Sequence, residues 1–379
     1  MIYLDNSAST FVKPKNVQKA VFNSLNFFTA NPGRGGHKEA IKTAMQVENV
    51  REKVSSLVGT TADKIVFTLN CTDALNMAIL GTYRKGGHVV CTVNEHNSVL
   101  RPLEHLKQID ETFSYTVAEQ RNAHGIMWED ILSCLQENTY LVICNHISNV
   151  NGDIADIVQI GKNLAERNIL FLVDGAQSGG HVKYDMQKQN INLLTLAPHK
   201  GFYSPQGVGV LCINGDFEIA PTLFGGTGTN SLELIMPEQF PEHLEAGTLN
   251  TPAILGFGEG INFVNDNFDA IQSKLEDLTT YLHYEMSKLP TNIYTKIENS
   301  HGVFAFNIEG VNSTDVATYL DEKWHICVRS GYHCAPLKHK SLGTLNTGAI
   351  RVSMSYFNTY QEVEKLVLAI KNYIRIQKK

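Results

Sequence analysis

The stretch RSGYHCAPL, residues 329–337, places a cysteine directly behind a histidine, with a glycine just before and a proline just after. Three chemistries suit the Cys334 thiol: a small buried hydrophobe, a metal ligand or a nucleophile. For a metal, Cys327, Cys334 and His339 would have to join His333, yet the first three are seven and five residues apart and no tight ligand pair anchors them. No metal site is predicted.

Three other stretches carry chemistry. KIVFTLNCTDALNMAIL (64–80) runs strand, short polar turn, helix, with Cys71 and Thr72 where the N–H groups of a helix start would face an anion. An ordinary N-cap explains the same residues. FLVDGAQ (171–177) ends an apolar strand on Asp174, with Gln177 three residues on. A carboxylate there needs a partner, either a Lys or Arg or the protonated ring nitrogen of a pyridine cofactor. LAPHKGFYSPQGVGVL (196–211) sets Lys200, beside His199, between a strand and a Gly/Pro turn. A lysine desolvated there has a lowered pKa and can form an imine; a solvated loop lysine is the alternative. Phosphate cradle, strand-end Asp and strand-end Lys, in that order, are the set that pyridoxal 5'-phosphate requires.

The elements that must position these groups alternate. KIVFTL (64–69), HVVCTV (88–93), YLVICN (140–145), ILFLVD (169–174), NLLTLA (192–197) and GVGVLCI (207–213) read as buried strands, with amphipathic stretches such as IADIVQIGKNLAERN (154–168) between several of them. That is an α/β pattern with a mainly parallel sheet. Beyond about residue 253 a long helical pattern leads into HGVFAFNIEG, DVATYLDEKWHI, AIRVSMSYF and YQEVEKLVLAIKNYI, which suits a small α+β domain. We therefore expect a large domain over 15–252 and a small one over 253–379 joined by residues 1–14, with a ligand in the crevice between them.

The chain has 379 residues, 43% hydrophobic and 18% charged, enough for two cores. A net charge of -6 argues against a dedicated nucleic-acid or anionic-membrane binder. No stretch approaches a membrane span and no apolar leader follows Met1, so a cytoplasmic location is expected. The seven cysteines include no CxxC pair, a pattern of reducing compartments. No Walker lysine or GxGxxG turn supports ATP or a nicotinamide dinucleotide.

Assembled, these stretches resemble the class V aminotransferase family of fold-type I pyridoxal phosphate enzymes, and within it the cysteine desulfurases, over nearly the whole chain. The resemblance rests on YLDNSAST, FTLNCTDALN, NEHNSVLRP, HISNVNG, VDGAQ, PHKGFYSPQGVGVL, EAGTLNTP and RSGYHCAPL, the last with the RxGxHC pattern of the second desulfurase group, which includes selenocysteine lyases. It implies a mainly parallel seven-stranded sheet, Lys200 as the cofactor-tethering lysine, Asp174 at the pyridine nitrogen, Gln177 and Asn149 at the ring's phenolic oxygen, and His96 stacked on the ring. Cys71, Thr72 and His199 would hold the phosphate, joined by Thr227 from the partner subunit of a homodimer. Arg351 would take the substrate carboxylate, with Asn6, Asn149 and Arg329 at that end. Cys334 would be the nucleophile that takes sulfur from L-cysteine, lowered in pKa by His333 and Arg329, and an acceptor thiol or protein would then receive the sulfur. Two departures from the family pattern stand out: Ala197 where a serine usually precedes the lysine, and Ser204 where a glycine usually precedes the proline. A selenocysteine lyase, another C–S lyase, a transaminase, or a silent scaffold on the same fold would share most of these residues.

Overall fold

The computed structural model describes residues 1–33, 35–121, 125–229, 231–299 and 301–377. After a short strand β1 (Ile2–Tyr3), helices α1 (Lys15–Phe27) and α2 (Lys38–Val58) lead into the alternating region. There the order is β2 (Ile65–Thr68), α3 (Cys71–Gly81), β3 (His88–Thr92), α4 (Asn97–Ile109), β4 (Ser114–Ala118), α5 (Trp128–Leu132) and β5 (Thr139–Asn145). It continues through α6 (Ile157–Ala165), β6 (Leu170–Asp174), β7 (Leu193–Leu196) and β8 (Gly209–Ile213).

These strands form one seven-stranded sheet in the order β2-β8-β7-β6-β5-β3-β4. All neighbours are parallel except β8, which runs antiparallel to both β2 and β7. Helices cover both faces, so the central strands are buried almost throughout; Phe171, Leu172 and Val173 of β6 are fully enclosed. Each such side chain contributes about 1.5–3 kcal/mol of burial energy, which is why these strands are unbroken apolar runs. The six strands expected from sequence are all present. The seventh, β4, lies at the sheet edge, half-buried along most of its length, and carries Ser114 and Thr116.

The second half begins with α7 (Thr251–Met286), 36 residues long and started by Asn250, whose side chain accepts from Ala253 N. The long helix packs on α1 and α2 at one end and on α10 (Tyr360–Gln377) at the other. Around that far end lie β9 (Thr291–Ile293), β10 (Val303–Ile308), α8 (Ser313–Trp324), β11 (Ile326–Cys327), α9 (Pro336–Ser341) and β12 (Ile350–Ser353). Strands β9, β10 and β12 make an antiparallel sheet with β10 central, and β1 pairs in parallel with β11. The chain's first residues are thereby fixed onto its last third. Among the described residues no helix is long and apolar enough to cross a membrane.

Candidate active site

Strands β5 and β6 end on the polar residues Asn145 and Asp174, and these converge. Asp174 closes β6 at 1% exposure. Its Oδ2 accepts from Asn145 Nδ2, at the end of β5, at 3.3 Å, and its Oδ1 accepts from the Ala176 N–H at 2.9 Å. Lys200 follows β7 in a turn whose backbone bonds run from Lys200 N to Ala197 O and from Tyr203 N to Lys200 O. Its side chain makes no hydrogen bond to a described residue. Burial pulls the amine's pKa down; Cys71 and Asp174 pull it back up, and Arg351 and Arg329 add to the lowering.

Across the cavity stands the start of α3. Asn70 caps it, accepting from Asp73 N at 3.0 Å. The N-cap reading of this turn therefore holds, and it leaves the first-turn N–H groups of Cys71 and Thr72 without acceptors among the described residues. The helix start can lie so close to β8 because residue 209 is glycine: a Cβ there would stand 2.6 Å from Cys71 N. Thr72 Oγ1 and Ser98 Oγ share a hydrogen bond of 2.8 Å, which links this turn to the head of α4.

His96 caps α4 and lines the cavity at once. Its Nδ1 accepts from Ser98 N at 3.1 Å, so the proton of the neutral ring sits on Nε2. Burial lowers its pKa to about 4, which keeps the ring neutral through the physiological range.

Asn149, Gln177 and His199 complete the walls. Asn149 donates from Nδ2 to the His333 carbonyl at 2.7 Å, Gln177 donates from Nε2 to the Ser7 carbonyl at 3.0 Å, and Lys13, Thr10 and the Thr10 N–H all reach the His199 carbonyl. The cavity so enclosed measures about 110 Å³. A larger cavity of about 990 Å³, between α2, α7 and residues 180–184, holds none of this chemistry.

Buried polar atoms lacking a partner report what the small cavity is shaped for. Asn149 Oδ1, His199 Nδ1 and Asn145 Oδ1 are all enclosed and unpaired, beside the open N–H groups of α3. Buried polar groups are ordinarily satisfied. A helix start with spare donors, a carboxylate at one wall, a desolvated amine and a flat imidazole fit a phosphorylated pyridine aldehyde.

Cys334 is not among the residues lining this cavity; it packs beside it, against the head of α4. Gly331, His333 and Cys334 all have left-handed backbones, with φ of 93°, 49° and 56°. This tight reversal brings the Cys334 carbonyl onto the Asn97 N–H at 2.7 Å, one residue from His96. Arg329 Nη2 lies 4.0 Å from Cys334 Sγ. The expected second cation is not there. His333 is buried, its Nδ1 hydrogen-bonded to His339 Nε2 at 3.2 Å, and burial, then Arg351, lowers its pKa to about 2. An imidazolium in that position would be desolvated beside two guanidiniums, so His333 is neutral and cannot act on the thiol as a charge. Among the described residues no cluster of three or more His, Cys, Asp or Glu has metal-holding geometry.

Arg351, at 1% exposure, uses Nη2 on Asp5 at 2.6 Å and Nη1 on the Asn149 carbonyl at 2.9 Å; its Nε is unpaired. Asn6 anchors the N-terminal segment. Its Nδ2 bonds the Ser353 carbonyl and Asn358 Oδ1, and its Oδ1 accepts from Phe11 N. Both amide hydrogens are engaged in fixing the N-terminal segment, while Oδ1 keeps a second lone pair. Thr227 lies outside this chain's cavity, in a half-exposed loop, bonded to Thr229.

Glu95 is the residue that sequence reading missed. It is fully buried beside His96; its Oε1 accepts from Thr92 Oγ1 at 2.7 Å and from Asn145 N at 2.8 Å, while Oε2 has no partner. Burial raises its pKa to about 8, with Asp174 adding to the rise. It is a strand-end acid after HVVCTV, the same signal that picked out Asp174.

A sequence profile described as Aminotransferase class-V matches residues 2–366, and the chain belongs to that family. Within it the chain is similar to a probable cysteine desulfurase of Methanothermobacter thermautotrophicus, 34% identical over 96% of this chain and 92% of the relative. Another probable cysteine desulfurase, from Pyrococcus abyssi, is 31% identical over 99% and 94%. The apo structure of a cysteine desulfurase from Thermococcus onnurineus NA1 superposes with a TM-score of 0.90 at 29% identity, covering 99% of this chain and 94% of that one.

Proposed function

We propose that the protein is a pyridoxal phosphate-dependent cysteine desulfurase, which converts L-cysteine to L-alanine and leaves the sulfur on Cys334 as a persulfide. Lys200 would tether the cofactor, Asp174 would hold the proton on the pyridine nitrogen, and His96 would lie over the ring. Gln177 and Asn149 would meet the phenolic oxygen, while Cys71, Thr72, His199 and Thr227 of the partner subunit would hold the phosphate. When bound, the cofactor supplies an electron sink that makes the substrate's Cα acidic.

The chain's own groups do the rest. Arg351 holds the substrate carboxylate through its unpaired Nε side, with Asn149 and Arg329 flanking that end. Lys200, desolvated and easily deprotonated, moves the Cα proton. The Cys334 thiolate attacks the substrate's divalent sulfur, the C–S bond breaks, and the released carbon takes up a proton to become alanine. An acceptor thiol or protein then removes the outer sulfur. The observation that carries this reading is the docking of Cys334 onto Asn97, at the head of the helix capped by His96, with Arg329 beside the sulfur.

The domain division at residue 253, with 1–14 joining the second unit, belongs to the same reading, as do a homodimer and a reducing cytoplasmic setting, which the seven free thiols support. The test is Cys334→Ala. Alanine and sulfide production from cysteine should disappear while the protein keeps its yellow cofactor colour. Undiminished turnover would exclude the persulfide route and favour a C–S lyase or transaminase; a colourless protein that ignores added cofactor would favour a scaffold.

A further inference from the structure

The turn that presents Cys334 is held by a row of side chains that the desulfurase chemistry does not itself use. His333 Nδ1 is hydrogen-bonded to His339 Nε2 at 3.2 Å, and His339 Nδ1 to Thr344 Oγ1 at 2.7 Å. The two imidazoles stack with their centroids 5.3 Å apart at 22°, and Tyr332 meets His339 edge-on. His339 is fully buried and His333 nearly so. Backbone bonds close the same unit: Ala335 N to Tyr332 O, His339 N to Ala335 O, and Thr344 N to His339 O.

Two consecutive non-glycine residues in the left-handed region cost free energy each. Such a turn persists only where its surroundings over-determine it. Here the determinant is visible. His333's ring is fixed from the helix side by His339, and its carbonyl is fixed from the cavity side by Asn149 Nδ2 at 2.7 Å. Fixing both ends of residue 333 fixes the direction in which residue 334 leaves.

We propose that the His333–His339–Thr344 relay is a positioning device for the nucleophile, holding the strained turn that keeps Cys334 Sγ at Arg329. The inference rests on Cys334 being the sulfur-accepting thiol. The relay works with both rings neutral in one matched set of tautomers: Thr344 Oγ1 donates to the His339 carbonyl at 3.3 Å, His339 Nδ1 donates to Thr344 Oγ1, and His333 Nδ1 donates to His339 Nε2. Burial supports this, lowering the pKa of His333 to about 2 and that of His339 to about 4. His333 thus acts through geometry instead of charge.

The experiment uses the cofactor-loaded protein and two readouts. Transfer of labelled sulfur from cysteine to the enzyme in a single turnover should fall by about tenfold to a hundredfold in His339→Ala, the scale set by an ångström of misplacement. Cofactor absorbance and the KM for cysteine should stay within a factor of about two of wild type. His339→Gln, which keeps a donor and an acceptor, should recover most of the loss. At one fixed alkaline pH, iodoacetamide should modify Cys334 at least about threefold faster in His339→Ala, since the loosened turn exposes it. Should His339→Ala not fold, Thr344→Val carries the same test with smaller changes of the same sign. Wild-type sulfur transfer with wild-type alkylation in the variant that folds would overturn the proposal, as would a loss that appears equally in KM and cofactor binding. The alkylation arm does not depend on desulfurase activity, so it reads the relay even where Cys334→Ala has already excluded the persulfide route.

Discussion

Arg329 and Arg351 exchange backbone hydrogen bonds in both directions, Arg329 N to Arg351 O at 3.1 Å and Arg351 N to Arg329 O at 2.7 Å. One isolated bridge thus joins Arg329, the cation beside Cys334, to Arg351, the cation proposed to hold the substrate carboxylate. The substrate's carboxylate and its sulfur are the two ends of a three-carbon molecule. In the proposed reaction, register between the two arginines would set the span the site can accept.

Arg329 is half-exposed and contacts Cys334 at the limit of a sulfur hydrogen bond. A charge-assisted contact is worth about 1.5–3 kcal/mol, or about tenfold to a hundredfold in rate. Arg329→Ala should lower kcat for sulfur release by that factor, and Arg329→Lys, which retains charge but loses the fork, should recover part of it. Steady-state assays with cysteine check this. A loss confined to KM would place Arg329 at substrate binding alone.

The buried histidines predict an acid limit to stability. Burial is the first cause of lowering in each: to about 3 in His146 and His181, about 2 in His333 and about 4 in His339. In the unfolded chain these rings protonate near pH 6.5, so between there and pH 4 the unfolded state binds more protons than the native one. Stability should fall with pH through that window, by about 1.4 kcal/mol per unit for each such ring. Glu95, with its raised pKa, opposes this below pH 8 but is a single group against several. Melting temperatures at pH 7.5, 6 and 5 should descend; a flat series would mean that the rings titrate normally.

Glu95→Gln should become relatively more stable as pH rises. The native carboxyl keeps its proton up to about pH 8 while the unfolded one loses it near 4.5. Its contribution is complete below 4.5 and is lost as pH climbs through 8. A glutamine keeps an acceptor for Thr92 Oγ1 and Asn145 N and carries no proton to lose. The melting-temperature difference between variant and wild type should therefore shift in the variant's favour from pH 6 to pH 9. A constant difference would show that Glu95 is already ionised.

What the sequence made legible follows from how strongly each feature is determined locally. Strands buried on both faces announced themselves as apolar runs, and Asp174 and Lys200 stood out because a charge at such a strand's end needs a reason. β4 was silent because an edge strand with Ser114 and Thr116 looks like any polar segment. Adjacency in sequence misled at His333. In a left-handed turn neighbouring side chains diverge, and the partner that claims this ring is His339, six residues on. The contacts of Asn6 were equally hidden: its amide nitrogen bonds Ser353 and Asn358, from the other end of the chain. Nothing local encodes either contact.

The last prediction concerns the link between the nucleophile loop and the cavity wall. Lys338, on the helix that follows Cys334, reaches Asp153 Oδ2 at 2.8 Å and Gln120 Oε1 at 3.0 Å, with 1% exposure. Asp153 lies four residues beyond Asn149 and has a second, longer contact with Lys296 at 3.7 Å. Burial works to raise the Asp153 pKa, yet Lys338, by charge and hydrogen bond, brings it below its ordinary value. Removing one member of a buried pair costs about 3–5 kcal/mol because the other is left charged and desolvated. Lys338→Met should approach the lower end of that range, since Lys296 remains to take part of the charge. Lys338→Met combined with Asp153→Leu removes both charges and should regain at least half of the loss, as measured by urea unfolding. A single variant as stable as wild type would show that Asp153 is held without Lys338, and that α9 needs no ionic tether to keep the turn at Cys334 in place.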